Sequence, residues 1–80
     1  RNQQQIGIRP NPVYDEFQIS IPLEYSEAIL EILNIQGQLV YQTSLITTDN
    51  AIEADFPPGL YFYTIRKQNQ IIGSGKFVRM

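Results

Sequence analysis

Glu53 and Asp55 stand two residues apart in Ile52-Glu53-Ala54-Asp55-Phe56, the spacing at which a β-strand points both carboxylates to one side. Paired carboxylates of this kind carry out glycoside hydrolysis, one as acid and the other as base or nucleophile. A chain of 80 residues has little room for the cleft such chemistry needs, so a solvated strand face is the favoured reading. Ser74 and Lys76 have the makings of a Ser–Lys nucleophile pair, yet no flanking signature accompanies them. Gly73-Ser74-Gly75 lacks the strand–loop–helix setting of a phosphate loop; glycine inside a strand more often marks a bulge. Asp49-Asn50 with Glu53 or Asp55 offers oxygen ligands for calcium without the glycine-punctuated loop that shapes such sites. Cysteine and histidine are both absent. Disulfide staples, zinc sites, thiolate nucleophiles and the commonest general base are thereby excluded. The sequence reads as no enzyme, with no cofactor and no metal.

Composition narrows the class further. Hydrophobic residues make up 42% and charged ones 18%, too apolar for a disordered tail. One domain is expected at this length, and no apolar run approaches the roughly 18 residues of a membrane helix. Insertion into a membrane is not expected. Six basic and eight acidic side chains leave a formal net charge of −2, which disfavours nucleic acid as a partner. The charges are segregated. Every acid lies between Asp15 and Asp55, and no Lys or Arg occurs from Pro10 to Ile65. Folding can resolve this by pairing basic strands with acidic ones, or the basic end can be displayed to an oppositely charged partner.

The elements follow from periodicity and turn chemistry. Residues 1–7 are polar and Gln-rich and read as a linker remnant joining the domain to something upstream, the more so because the chain opens on Arg1 without an initiator methionine or signal peptide. Pro10-Asn11-Pro12 removes two N–H donors and biases Arg9 and Asn11 toward extended backbone, so it opens the fold along an edge. Phe17, Ile19 and Ile21 alternate with polar residues as a half-buried strand does. Gln38–Thr43 is β-rich, Ile52, Ala54 and Phe56 alternate with Glu53 and Asp55, and Leu60–Ile65 is almost wholly aromatic and β-branched. Ile71-Ile72 and Phe77-Val78 complete one last strand or two short ones. Over 28–33 an amphipathic helix competes with a strand, since Tyr25, Ile29, Ile32 and Leu33 share a helical face; the strand is preferred because the turn that follows needs strands on both sides.

Asn34-Ile35-Gln36-Gly37 places Gly37 where a hairpin needs positive φ. Pro57-Pro58-Gly59 suits a type II turn, and Lys67–Gln70 forms a polar hairpin tip with Asn69 suited to the left-handed position. Regularly spaced strands without a long helix indicate an antiparallel sandwich. Within Leu60–Ile65, Tyr61, Tyr63 and Ile65 share one face and Leu60, Phe62 and Thr64 the other. One face must be core; the other is either packed too or an exposed apolar patch.

Four stretches in order carry a resemblance: Ile8-Arg9-Pro10-Asn11-Pro12-Val13, Leu33–Val40 around Gly37, Pro57-Pro58-Gly59-Leu60-Tyr61, and Gly75-Lys76-Phe77-Val78-Arg79. Together, over residues 8–80, they resemble the C-terminal sorting domain, type A class, of type IX secretion cargo. The resemblance implies an all-β fold, a small antiparallel Ig-like β-sandwich of about seven short strands. It implies a function as well: directing an attached cargo across the bacterial outer membrane, from periplasm in transit to cell surface or medium. Its implied partners are the outer-membrane translocon, a sortase-like peptidase that removes the domain, and the upstream cargo. By motif match Pro10, Asn11, Pro12 and Gly37 correspond to structural positions, while Gly59, Tyr61, Gly75, Lys76, Val78 and Arg79 correspond to the sorting signal. Arg9 departs from the aromatic residue often found before Pro-Asn-Pro.

Two alternatives follow from the same residues. One is an Ig-like module of a secreted protein that binds carbohydrate or protein through Phe62, Tyr41 or the Tyr61/Tyr63 face; the other is a structural spacer. Dimerisation through an open edge strand is conceivable for any sandwich.

Overall fold

The computed structural model describes residues 6–80. Seven strands and one short 3₁₀ turn make up the chain: β1 (Gly7–Arg9), β2 (Glu16–Ser20), the turn at Leu23–Tyr25, β3 (Ala28–Leu33), β4 (Leu39–Leu45), β5 (Asp49–Glu53), β6 (Gly59–Lys67) and β7 (Gln70–Arg79). They form two antiparallel sheets, one ordered β1-β2-β5 and the other β4-β3-β6-β7. The fold is thus a small all-β sandwich, as expected. Most of the expected linker lies outside the described residues. Its last residues do not: Gly7 pairs with Ser20 in β1 and Ile6 packs against the core.

The alternating apolar residues supply the core. Phe17, Ile19 and Ile52 face inward from the smaller sheet, and Ala28, Leu30, Ile32, Tyr61, Tyr63, Ile65 and Phe77 face them from the larger one. Segment 28–33 is a strand buried at every second residue. A helix would bury Ile29 with Ile32 and Leu33; here Ala28, Leu30 and Ile32 go inward, because neighbours on both sides satisfy the backbone of β3.

Several boundaries differ from expectation. β5 begins at Asp49 and ends at Glu53. Ala54 and Phe56 remain buried, but the Ala54 N–H leaves the ladder to donate to the Asp15 carbonyl at 2.9 Å. Residues 57–59 do not form a type II turn. Gly59 has φ +153°, far from the roughly +80° of that turn's third residue, and already pairs with Arg79 at the start of β6. In the β6–β7 hairpin the left-handed residue is Gln68, at φ +58°, not Asn69. The last strand is continuous, and its bulge falls at Ile72, between the pairs Ile65↔Gly73 and Arg66↔Ile71.

The β3–β4 hairpin behaves as its residues require. Gly37 sits at φ +82°, and its N–H donates to the Asn34 carbonyl at 3.0 Å. The Asn34 side-chain oxygen accepts from the N–H groups of Gln36 and Gln38 at 2.9 and 3.0 Å. This three-residue loop, closed by glycine in the left-handed region, sets Leu33 opposite Leu39.

Candidate functional site

β7 lies at the edge of the larger sheet, and strand alternation divides its residues between two faces. Phe77 is opposite Tyr61, Gly75 opposite Tyr63, and Gly73 opposite Ile65. Tyr61, Tyr63 and Ile65 are core residues, so Gly73, Gly75, Phe77 and Arg79 occupy inward positions. Ser74, Lys76 and Val78 are opposite Thr64, Phe62 and Leu60 and face outward.

The inward set fastens the strand. Phe77 is buried and lies among four aromatic rings: Phe17 at 5.5 Å, Tyr61 at 5.8 Å, Phe56 at 6.2 Å and Tyr63 at 6.4 Å between centroids. Such pairs each add about 0.5–1.5 kcal/mol beyond the area they bury. Gly75 accommodates the Tyr63 ring: a Cβ there would stand 2.8 Å from the hydroxyl oxygen and 2.9 Å from two ring carbons. Gly73 makes the same room for Ile6, whose Cδ1 would lie 2.9 Å from a Cβ. The glycines expected to mark a bulge are therefore seats for neighbouring side chains.

Arg79 carries its charge back onto the fold. Its Nε and Nη2 donate to the Ala54 carbonyl at 3.2 and 3.1 Å, joining the end of β7 to the segment that leaves β5. Nη1 donates to Met80 O at 2.8 Å, and Nη2 is 3.9 Å from the Asp15 carboxylate. Asp15 is fully exposed, so that ion pair contributes little; the carbonyl bonds hold the side chain.

Pro10-Asn11-Pro12 turns the chain from β1 across to the free edge of β7. Both X–Pro bonds in this segment, Arg9–Pro10 and Asn11–Pro12, are cis. Val13 then forms a parallel bridge with Arg79. Its N–H donates to the Val78 carbonyl, and its own carbonyl accepts from the Met80 N–H, both at 2.7 Å. The edge is thus closed beside residues 78–80. Because the Val78 carbonyl points to that edge, alternation puts the backbone groups of Ser74 and Lys76 there too, where no partner strand covers them among the described residues.

Gly59 and Tyr61 belong to the same ribbon. Tyr61 is 5% exposed, its ring 4.6 Å from Phe56, and its hydroxyl donates to the Pro57 carbonyl at 2.5 Å. A tyrosine bonding back to backbone a few residues upstream is a recurrent corner in immunoglobulin-like sandwiches. Gly37 lies apart in the β3–β4 hairpin. Sequence reasoning missed Phe77 as the centre of the aromatic cluster; its burial was legible in the alternation with Lys76 and Val78, its neighbours were not.

Folding resolves the segregated charges only in part. Arg66 pairs with Glu31 at 3.1 Å across β6 and β3. Lys67 Nζ donates to the carbonyls of Ser26 and Glu24 at 2.8 and 3.4 Å. Lys76 makes no ion pair among the described residues. Glu53 and Asp55 border a shallow depression with Asp15 and Glu16, and no group of three or more acids there is placed to hold a metal ion. Ser74 and Lys76 face outward without a hydrogen bond between them.

The outer face of the larger sheet is apolar at one end. Leu60 and Phe62 are each 40% exposed, Val78 41% and Leu39 51%. Of the two faces of β6, the one with Tyr61, Tyr63 and Ile65 is core, and the one with Leu60 and Phe62 is open.

The described residues thus form a two-sheet unit with a fastened last strand and an open outer face. The family model described as the secretion system C-terminal sorting domain matches residues 7–79, and the chain belongs to that family, the sorting domains of type IX secretion. Membership marks it as the sorting signal of a secreted or cell-surface protein, in a family that is not one of enzymes. No curated protein and no solved structure matches the chain.

Proposed function

We propose that residues 8–80 are read by the outer-membrane translocon as a folded transport address for a cargo attached ahead of them, and that a sortase-like peptidase then removes the domain. Within the signal residues the roles divide by face. Gly59, Tyr61, Gly75 and Arg79 hold β7 in place; Lys76 and Val78 are the side chains shown to the receptor. The observation that carries this reading is the alternation along β7, which puts a cation with no ion pair among the described residues and an exposed valine on the outside of a strand anchored by Phe77 and Arg79. A receptor can read such a display through an apolar contact and a charge together.

The test is a cargo fusion in a host with this secretion system, comparing the native domain with Lys76→Glu/Val78→Asp. The double variant is expected to leave cargo in the periplasm while melting like the native domain. Normal export by the double variant would place the signal elsewhere. Removal of the domain is checked by the cargo's loss of mass in a strain with the peptidase and not in one without it. The exposed ring of Phe62 also favours the second reading, a carbohydrate- or protein-binding module. Saturable glycan binding lost in a folded Phe62→Ala variant would support that class.

A further inference from the structure

The outward residues of β7 do not stand alone. Val78 is opposite Leu60 on β6. Phe62, two residues on, is opposite Lys76 on one side and Leu33 on the other; Leu33 is in turn opposite Leu39. Strand register thus joins five apolar side chains from four strands into one strip across the end of the sheet, with Lys76 beside its centre. Phe62 and Lys76 border an apolar depression over Ser74 and Gly75, where the strand lacks large side chains. Leu33, Leu39, Leu60 and Phe62 are scattered over some thirty residues of sequence, and only Leu33, Leu39 and Leu60 fall within the motif stretches, none as a signal residue.

We infer that this strip is the contact surface of the sorting signal, and that its occupant is a receptor protein segment presenting apolar side chains and a carboxylate that meets Lys76. The inference rests on the reading of the domain as a transport address, and it names the chemistry of the partner. Charge complementarity selects that chemistry. On this face Glu31 is taken by Arg66 and by the Thr64 hydroxyl at 3.3 Å, and the Lys76 ammonium makes no ion pair among the described residues. A bare apolar strip is disfavoured in water and gains by being covered. A cation beside it adds selectivity by rejecting partners that bring another cation. A glycan would instead need several polar groups converging on it, and the strip itself offers none.

The test uses the full chain fused to a fluorescent cargo, with Leu39, Leu60 and Phe62 changed together to threonine. Threonine keeps strand propensity while removing apolar surface. Export is expected to fall at least tenfold, with cargo accumulating in the periplasm and the melting midpoint of the domain within a few degrees of native. Leu39→Asp, a single change on an edge strand, gives the same readout if the triple variant folds poorly. Lys76→Arg is expected to export normally and Lys76→Glu not. Native export by the threonine and Leu39→Asp variants, with Lys76→Glu/Val78→Asp still blocked, would overturn the strip and leave the transport address standing. Failure of the native fusion to leave the periplasm would overturn both. Normal export of Lys76→Glu would overturn the carboxylate. A dimer of the native domain at 100 μM in sedimentation, abolished by the threonine changes, would assign the strip to a second copy and overturn the receptor.

Discussion

Tyr61 provides a graded test of how the last two strands are held. Its ring is packed between Phe56 and Phe77, 4.6 and 5.8 Å away, and its hydroxyl reaches the Pro57 carbonyl. Tyr61→Phe removes only the hydrogen bond, a loss of about 1 kcal/mol. For a domain of this size that lowers Tm by about 4–8 °C. Tyr61→Ala also removes the ring, and emptying an aromatic site in a core costs about 3–5 kcal/mol. A sandwich of this length without disulfide or metal has only about 3–5 kcal/mol of total stability. The alanine variant is therefore expected to have a net stability near zero and a large unfolded fraction at 25 °C, whereas the phenylalanine variant stays native. Urea unfolding followed by circular dichroism distinguishes the two: Tyr61→Phe shifts the midpoint at constant slope, and Tyr61→Ala shows little or no native baseline. A urea midpoint indistinguishable from native in Tyr61→Ala would refute the packing argument. Equal losses in both variants would assign the stability to the hydroxyl instead of the ring.

Three further outcomes are expected. Gly37→Val should cost about 1–3 kcal/mol in urea unfolding, because a branched residue is forced to φ +82°; open space around that Cβ position means crowding is not the cause, so Gly37→Asn should cost less. Gly75→Ala should cost about 1–3 kcal/mol by overpacking against the Tyr63 ring, and Tyr63→Leu in the same molecule should recover part of that loss. Burial raises the phenol of Tyr63 above its ordinary value of 10.0. The folded state therefore keeps this proton where the unfolded chain has lost it, so stability is full below about pH 10 and declines as pH rises from there toward the folded-state value. Tyr63→Phe should flatten this decline in melts taken across the alkaline range.

The strands were largely legible because burial in a thin sandwich imposes a period of two, and Phe17/Ile19, Ile52 and Tyr61/Tyr63/Ile65 display it. Segment 28–33 was ambiguous for a physical reason. Six residues that are apolar except for Glu31 satisfy both a helical face and a strand face, and only the pairing of β3 with β4 and β6 decides between them. The expected strand over 52–56 ran past the true end of β5 because Ala54 and Phe56 stay buried after the backbone has left the ladder. The site was half legible. Motif order marked Gly75, Lys76, Val78 and Arg79, but which of them faces outward depends on the register against β6. Arg79 reads as a surface base in sequence, and its carbonyl partner at Ala54 lies 25 residues away. The strip from Val78 to Leu39 has no sequence signature, since it is assembled by cross-strand register.

Membership of the sorting family and the fastened, outward-facing last strand converge on transport of an attached protein. The most direct measurement fuses residues 1–80 to a fluorescent protein bearing an export signal and locates the fluorescence in a host with the type IX system and in the same host with the system deleted. Cargo is expected outside the cells or on their surface only in the first host. Cargo confined to the periplasm of both, or released equally by both, would contradict the account.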